Sequence, residues 1–142
     1  KNIVDCGSGA GVPSVVWAIL EPEKNLFSVD KNFKKIQFQK QIIQELELTN
    51  IEAINDKIEK FILNEPHTTI FKAFSSIKNT IERTKHRKNQ KNLIFLKKDN
   101  TKTKEEILDT AALLYDYKKH PYVHKKEKMV ALEFYDNKNS NN

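Results

Sequence analysis

The residues with the clearest chemical meaning are two acids and three glycines near the start of the chain. All the glycines fall between Asp5 and Pro13, in the order Asp-Cys-Gly-Ser-Gly-Ala-Gly-Val-Pro, and Asp30 ends an apolar stretch roughly 20 residues further on. Glycines let a backbone turn without Cβ atoms and let a ligand approach it closely. An acid at the end of a strand can accept both hydroxyls of a ribose. The pattern therefore predicts a site for a nucleotide-like ligand.

The spacing separates this turn from two other phosphate-binding turns. A P-loop requires a Gly-Lys-Ser/Thr ending, which does not follow Gly11, and the dinucleotide fingerprint requires a glycine where Val12 stands. The acid before the first glycine, Asp5, repels a pyrophosphate but can balance a cation. S-adenosylmethionine carries an ammonium and a sulfonium, so the turn, with Gly7, Gly9 and Gly11, favours this cofactor.

Each signal also has a purely structural interpretation. Glycine turns serve tight packing, and an acid after a strand is often the N-cap of a helix, here one that would start near Asn32. Because Asp5, the glycines and Asp30 occur together in the expected order, we favour the cofactor site.

The glycine turn and several later segments together resemble one family, the small-subunit rRNA guanine-N7 methyltransferases, also called glucose-inhibited division protein B (GidB, RsmG). The segments that carry the resemblance are residues 3–13, residues 29–31 with Lys34-Lys35, residues 46–52, residues 57–61, the Lys-Ala-Phe-Ser-Ser block in residues 70–77, and Leu96-Lys97. The first segment is common to many methyltransferases, whereas the Lys-Ala-Phe-Ser-Ser block is more specific to this family. Most of the chain is covered.

The resemblance implies which residues contact S-adenosylmethionine. The family's contacts fall on Gly7 and Val12 at the glycine turn, on Ile58 and Glu59 beside the adenine, and on Lys72, where the family has arginine. Members of the family also carry a helical segment before the first strand, and the present sequence opens directly at that strand.

Strand and helix patterns alternate along the chain. Strands are predicted at 2–6, 26–30, 51–54, 68–72 and 92–97, helices at 13–21, 31–47, 75–85 and 103–116, and a pair of strands around 122–123 and 129–135. Alternating units of this kind force a parallel sheet with helices on both faces. We therefore predict an α/β, doubly wound, mostly parallel sheet of the methyltransferase (Rossmann-like) type with a C-terminal antiparallel hairpin. Residues 1–135 are expected to form the methyltransferase domain and residues 136–142 a disordered tail.

Charge indicates a polyanionic partner. Lys and Arg total 25 against 19 Asp and Glu, for a net charge of +6. One basic cluster surrounds residues 83–91 and another, interleaved with tyrosines, lies within residues 115–128. Cations beside aromatic rings are typical of contacts with single-stranded or looped RNA, although lysine-rich surfaces are also often merely solvated. The predicted contacts with small-subunit rRNA are Arg83, Lys85, Arg87, Lys88, Lys97, Lys125 and Lys126.

The sequence offers no paired acid and base, no nucleophile triad and no metal-ligand spacing, so we predict no catalytic side chain and no metal. Guanine N7 presents a lone pair and no proton, and its methylation needs only orientation of the two reactants. A methyltransferase for a small molecule or a protein, or a noncatalytic RNA-binding remnant, stays open. The single cysteine and the absence of a membrane-length apolar run or a signal pattern fit a cytoplasmic protein. We expect it to act as a monomer.

Overall fold

The computed structural model describes residues 1–72 and 74–136 and contains one seven-stranded sheet. The sheet order is β3-β2-β1-β4-β5-β7-β6, in which all pairs are parallel except those that β7 makes with β5 and β6. The strands are β1 (Asn2–Cys6), β2 (Asn25–Asp30), β3 (Ile51–Asn55), β4 (His67–Lys72), β5 (Gln90–Lys98), β6 (Tyr115–His124) and β7 (Glu127–Asp136); the helices are α1 (Ser14–Leu20), α2 (Phe33–Glu45), α3 (Ile77–Thr84) and α4 (Thr101–Leu108), with a 3-10 turn at Ala111–Leu113. The predicted fold class is confirmed.

The order of the strands fixes where a ligand can bind. Strand β1 lies in the middle of the sheet. Strands β2 and β3 follow on one side of it, and β4 lies on its other side. In such sheets the connections on either side of the reversal diverge and leave a crevice at the carboxyl ends of the strands. We call this the carboxyl edge, where β1, β2 and β4 end, and the opposite side the amino edge, where they begin. The glycine turn leaves β1 at the carboxyl edge, beside this reversal.

Alternation along the strands builds a core on each face of the sheet. On one face, Ile3 and Ile70 pack with Val15 and Ala18 of α1. On the other, their sequence neighbours Val4 and Phe71 pack with α3 and with the hairpin strand β7; the buried residues there include Ile77, Ile81, Phe95, Leu132 and Phe134. Because successive strand residues point to opposite faces, continuous apolar runs mark strands that are covered on both sides.

Short polar side chains start three of the helices. Asn32, Ser76 and Asn100 each accept a hydrogen bond from the backbone N–H three residues further on, at 3.2, 3.3 and 3.0 Å. The helix predicted at 31–47 therefore begins at Phe33, after its Asn32 cap. Asp30, the alternative cap considered above, lies before that position and has other partners.

The helix predicted at 103–116 is wrong in its second half. Helix α4 ends at Leu108, and the Thr110 hydroxyl donates to the carbonyl of Ile107 at 2.6 Å. Leu114 then adopts a left-handed backbone with φ of 57°, which turns the chain into β6 at Tyr115. The apolar residues after position 108 fit a helical period, but Ala111–Leu113 form the 3-10 turn and Tyr115 begins β6. All other predicted helices and the first five strands agree within two residues at each end.

The predicted terminal hairpin is confirmed and is longer than expected. Its strands β6 and β7 have 10 residues each, and Lys125 and Lys126 form the turn with φ of 48° and 64°. Strand β7 continues to Asp136, which the sequence placed in the tail. The rest of that predicted tail lies outside the described residues. Within residues 1–72 and 74–136, no helix has the length and apolar character needed to cross a membrane.

Candidate cofactor site

The glycine turn is held against the end of β2 by backbone hydrogen bonds. The Gly7 N–H donates to the carbonyl of Val29 at 2.8 Å. Gly9 has φ of 58°, and a Cβ placed on it would meet nothing closer than the Lys35 ammonium at 4.0 Å. Gly11 has φ of 91°, and a Cβ there would lie 2.6 Å from Val15 of α1. Gly11 thus serves helix packing, whereas the Cα of Gly9 has open space beside it.

Asp30 joins the turn to the start of α2. One carboxylate oxygen accepts from the Gly9 N–H at 2.8 Å and the other from the Asn32 N–H at 2.8 Å. A carboxylate has about four lone-pair positions, so two acceptor positions are left for hydroxyl donors. The helix-cap role belongs to Asn32.

A buried polar chain supports the turn from below, and sequence reasoning missed it. The Gln39 side chain is fully buried; its amide donates to the Ser8 hydroxyl at 2.9 Å and to the carbonyl of Gly9 at 2.6 Å. The Ser28 hydroxyl donates to the Gln39 carbonyl oxygen, and the Ser14 hydroxyl donates to Ser28 at 3.1 Å. The available signal was the position of Gln39, three residues after buried Ile36 on α2. Since each buried polar group is paired, this chain fixes the shape of the turn.

A cleft of ≈ 570 Å³ opens at the carboxyl edge beside the turn. Its volume falls within the usual range for sites that hold small ligands. It brings together four of the predicted cofactor residues, Gly7, Asp30, Ile58 and Glu59. The remaining lining residues are Lys31, Asn32, Lys35, Lys57, Phe74 and Arg83.

Other predicted cofactor residues lie around the cleft and not in its lining. Val12 is exposed just before α1, and Lys72 is exposed at the end of β4. Asp5 is only 1% exposed, and neither of its carboxylate oxygens has a hydrogen-bond donor among the described residues. Burial raises the pKa of Asp5 to about 6, although nearby Ser14 and the positive charge of Lys72 oppose the shift.

The predicted RNA-binding residues separate into inward and outward groups. Lys85, Lys88, Lys125 and Lys126 are exposed. Lys97 is partly buried, forms an ion pair with Glu106 at 3.0 Å and donates to the carbonyl of Ser75 at 3.0 Å.

The two arginines of this set also have partners inside the protein. Arg87 is only 5% exposed, and its guanidinium donates to the carbonyl of Ile58. Arg83 lines the cleft and pairs with Glu59. Arg87 and Lys97 are therefore not placed for contact with a polyanion at the surface.

Comparison with solved structures identifies the fold. An rRNA methylase from Streptococcus thermophilus superposes with a TM-score of 0.68 at 16% identity, covering 96% of this chain and 87% of that one. TrmK of M. capricolum, solved in complex with S-adenosyl-homocysteine, gives a TM-score of 0.71 at 16% identity and covers 96% of this chain and 62% of that one. At this level of identity the likeness concerns the fold alone.

Comparison of sequences identifies the family. The ribosomal RNA small subunit methyltransferase G of Vibrio campbellii is 33% identical over 108 residues, which are 75% of this chain and 51% of the relative. That of Pseudomonas aeruginosa is 42% identical over 86 residues, 60% of this chain and 40% of the relative. The chain thus spans about half the length of the curated relatives it matches. The GidB family model, rRNA small subunit methyltransferase G, matches residues 1–133, and the chain belongs to this family.

Proposed function

We propose that this chain holds S-adenosylmethionine at the carboxyl edge and transfers its methyl group to N7 of a guanine in small-subunit rRNA. The observation that carries the proposal is the meeting of Gly7, Asp30, Ile58 and Glu59 in one cleft of a chain that belongs to this family. The whole relatives carry the name of an rRNA methyltransferase.

The residues around the cleft fit the chemical groups of this cofactor. The free acceptor positions of Asp30 suit the two ribose hydroxyls, and the mostly buried Ile58 offers an apolar surface to the adenine. The open side of Gly9 admits the ligand against the backbone. The carboxyl group of Asp5 is buried behind the turn, and a ligand that carries two cationic groups would favour its ionised form.

The protein's contribution to the reaction is orientation. When bound, the cofactor supplies an electrophilic methyl group on a sulfonium. N7 of guanine offers an in-plane lone pair and loses no proton, so no side chain has to act as a general base. The glycine turn, Asp30 and the Ile58–Glu59 segment hold the cofactor, and Lys72, the further cofactor contact that the family resemblance implies, lies at the end of β4 on the same edge. Proximity and alignment of this kind can account for a large part of a rate enhancement.

The hairpin turn is the best-placed basic surface for the RNA. In the antiparallel pair of β5 and β7, Lys98 lies opposite Met129, so the turn at Lys125 and Lys126 extends beyond the carboxyl edge. Three strand spacings separate β7 from β1, a distance of about 14 Å. We further propose that the protein acts as a monomer in the cytoplasm.

The test is methyl transfer from labelled cofactor to three substrates: naked small-subunit rRNA, assembled small subunits and free nucleotides, with the modified base mapped. We expect label on guanine N7 in one of the rRNA forms and none on free nucleotides. Transfer to a small molecule or a protein but not to rRNA would overturn the substrate assignment. Calorimetry that finds no binding of S-adenosylmethionine would overturn the activity and indicate a noncatalytic RNA-binding protein.

A further inference from the structure

The connection between β3 and β4, residues 56–66, forms one wall of the cleft and has little structure of its own. A single turn at Lys57, in which its carbonyl accepts from the N–H groups of Lys60 at 2.9 Å and Phe61 at 3.1 Å, is its main internal feature. No helix spans the connection. Lys57, Ile58 and Glu59 line the cleft from this wall. The positions of Ile58 and Glu59 therefore depend on contacts from elsewhere.

Arg87 holds the first of these residues by its backbone. One guanidinium nitrogen donates to the carbonyl of Ile58, and the other lies 3.6 Å from the sulfur of Cys6, at the end of β1. The side chain is buried, and no acidic side chain within residues 1–72 and 74–136 forms an ion pair with it. Burying a guanidinium without a carboxylate costs free energy. Arg87 is buried at this cost in free energy where its side chain connects Ile58 to β1, the strand that leads into the glycine turn.

Arg83 holds the second residue by its side chain. It lies in the last turn of α3, and Arg87 lies in the turn that follows this helix. The Arg83 guanidinium pairs with the carboxylate of Glu59 and lies 5.0 Å from the ring centre of Phe74. The Phe74 ring in turn lies close to Gly7, since a Cβ on Gly7 would be 3.7 Å from it. Through Phe74, Arg83 thus links the Ile58–Glu59 wall to Gly7, the first residue after β1.

We infer that Arg83 and Arg87 are positioning residues of the cofactor cleft: together they fix the consecutive residues Ile58 and Glu59 against the site. The inference rests on the proposed function for the identity of the ligand. Arg83 itself lines the cleft, whereas Arg87 is buried outside its lining, and each acts through the residue it holds. The consequence is that part of the basic cluster that the sequence assigned to RNA serves cofactor binding.

The experiment compares Arg87→Met and Arg83→Gln with two control variants, Lys85→Met and Lys88→Met, in exposed positions of the same segment. Binding of S-adenosylhomocysteine is measured by calorimetry well below each melting temperature, and KM for S-adenosylmethionine and kcat are measured separately. We expect affinity to fall about tenfold for Arg87→Met and about threefold for Arg83→Gln, with kcat at saturating cofactor within about twofold. The controls should bind as the wild type does, and Arg87→Lys should recover part of the loss.

A double-mutant cycle with Glu59→Gln keeps the inference testable even if Arg87→Met does not fold, because the side chains of Arg83 and Glu59 are partly exposed, at 46% and 37%. If Arg83 acts through Glu59, the double variant should bind no more weakly than Glu59→Gln alone. Additive losses, or variants that melt earlier but bind with unchanged affinity, would overturn the inference while leaving the proposed function in place. A wild-type protein that does not bind the cofactor would remove both.

Discussion

Both edges of the parallel sheet carry exposed lysines, and the two edges differ in what lies beside those lysines. At the carboxyl edge lie the glycine turn, Asp30 and the lysines of the hairpin turn. At the amino edge lie Lys85 and Lys88, in the turn that precedes β5, whose first residue is paired with the start of β4. Helix α3 runs from the carboxyl edge toward the amino edge, so Lys85 and Lys88 lie away from the glycine turn although Arg83 of the same basic cluster lines the cleft. We therefore expect the position of a lysine at the carboxyl edge, and not the net charge of the protein, to decide whether it contacts RNA beside the cleft.

The largest loss of cofactor binding should come from adding a side chain at Gly9. Gly9→Val places a branched side chain where the ligand meets the backbone, and we expect cofactor binding to be lost. The unliganded turn has room for the new atoms but not an ideal backbone angle for them. Circular dichroism should show a folded variant, and calorimetry should show no binding. A folded variant with wild-type affinity would contradict the site itself.

Removing Asp30, the proposed ribose acceptor, should cause the next largest loss of cofactor affinity. Asp30→Ala deletes charged hydrogen bonds worth about 1.5–3 kcal/mol, a loss of about 10- to 150-fold in affinity. S-adenosylmethionine and S-adenosylhomocysteine should be weakened alike, because both contain the ribose. Asp30→Asn is the matched control that retains one acceptor oxygen. A variant that only melts earlier would mean that Asp30 serves the Gly9 and Asn32 amides alone.

Neutralising the hairpin turn should affect RNA and spare the cofactor. Lys125→Asn with Lys126→Asn removes two charges while retaining a residue type that tolerates the left-handed backbone there. We expect rRNA affinity to fall about tenfold and the slope of its logarithm against log salt to fall by roughly 1.4–1.8, since each phosphate contact contributes 0.7–0.9. Filter binding across a salt series measures both quantities. An unchanged slope would show that the turn is only solvated.

Neutralising two lysines at the amino edge should have the smallest effect on rRNA affinity. Lys85→Gln with Lys88→Gln alters net charge by the same amount as the hairpin variant. We expect the rRNA affinity to change by less than about twofold at physiological salt, where long-range charge is screened within about 8 Å. Equal losses from the two edges would show that total charge, rather than position, governs RNA binding.

The cofactor cleft was the most predictable part of the molecule because its signals are local. The glycine turn and Asp30 are recognisable from residue types at short spacing, and the alternating strands and helices around them admit few topologies. Ile58 and Glu59 came from the family resemblance, and the structure places them in the same cleft.

What the sequence did not reveal depends on contacts between distant segments. The direction in which Arg87 points is set by the carbonyl of Ile58, 29 residues away, and no periodicity records such a pair. Gln39 was similarly hidden, because a glutamine on a helix is ordinarily solvated. The helix predicted at 103–116 is too long because Leu113, Leu114 and Tyr115 suit a helical pattern, whereas α4 ends at Leu108 and the left-handed Leu114 turns the chain into β6.

The buried carboxyl group of Asp5 makes the folded protein a proton acceptor. Its pKa is raised from 3.8 to about 6, so between these values the folded chain holds a proton that the unfolded chain has released. The contribution of Asp5 to the free energy of unfolding therefore falls as pH rises through this interval and stays at its lower value above it. A cationic ligand arriving beside the turn would favour the ionised carboxyl and expel that proton. Near pH 6, the heat of cofactor binding should consequently depend on the ionisation enthalpy of the buffer that receives the proton.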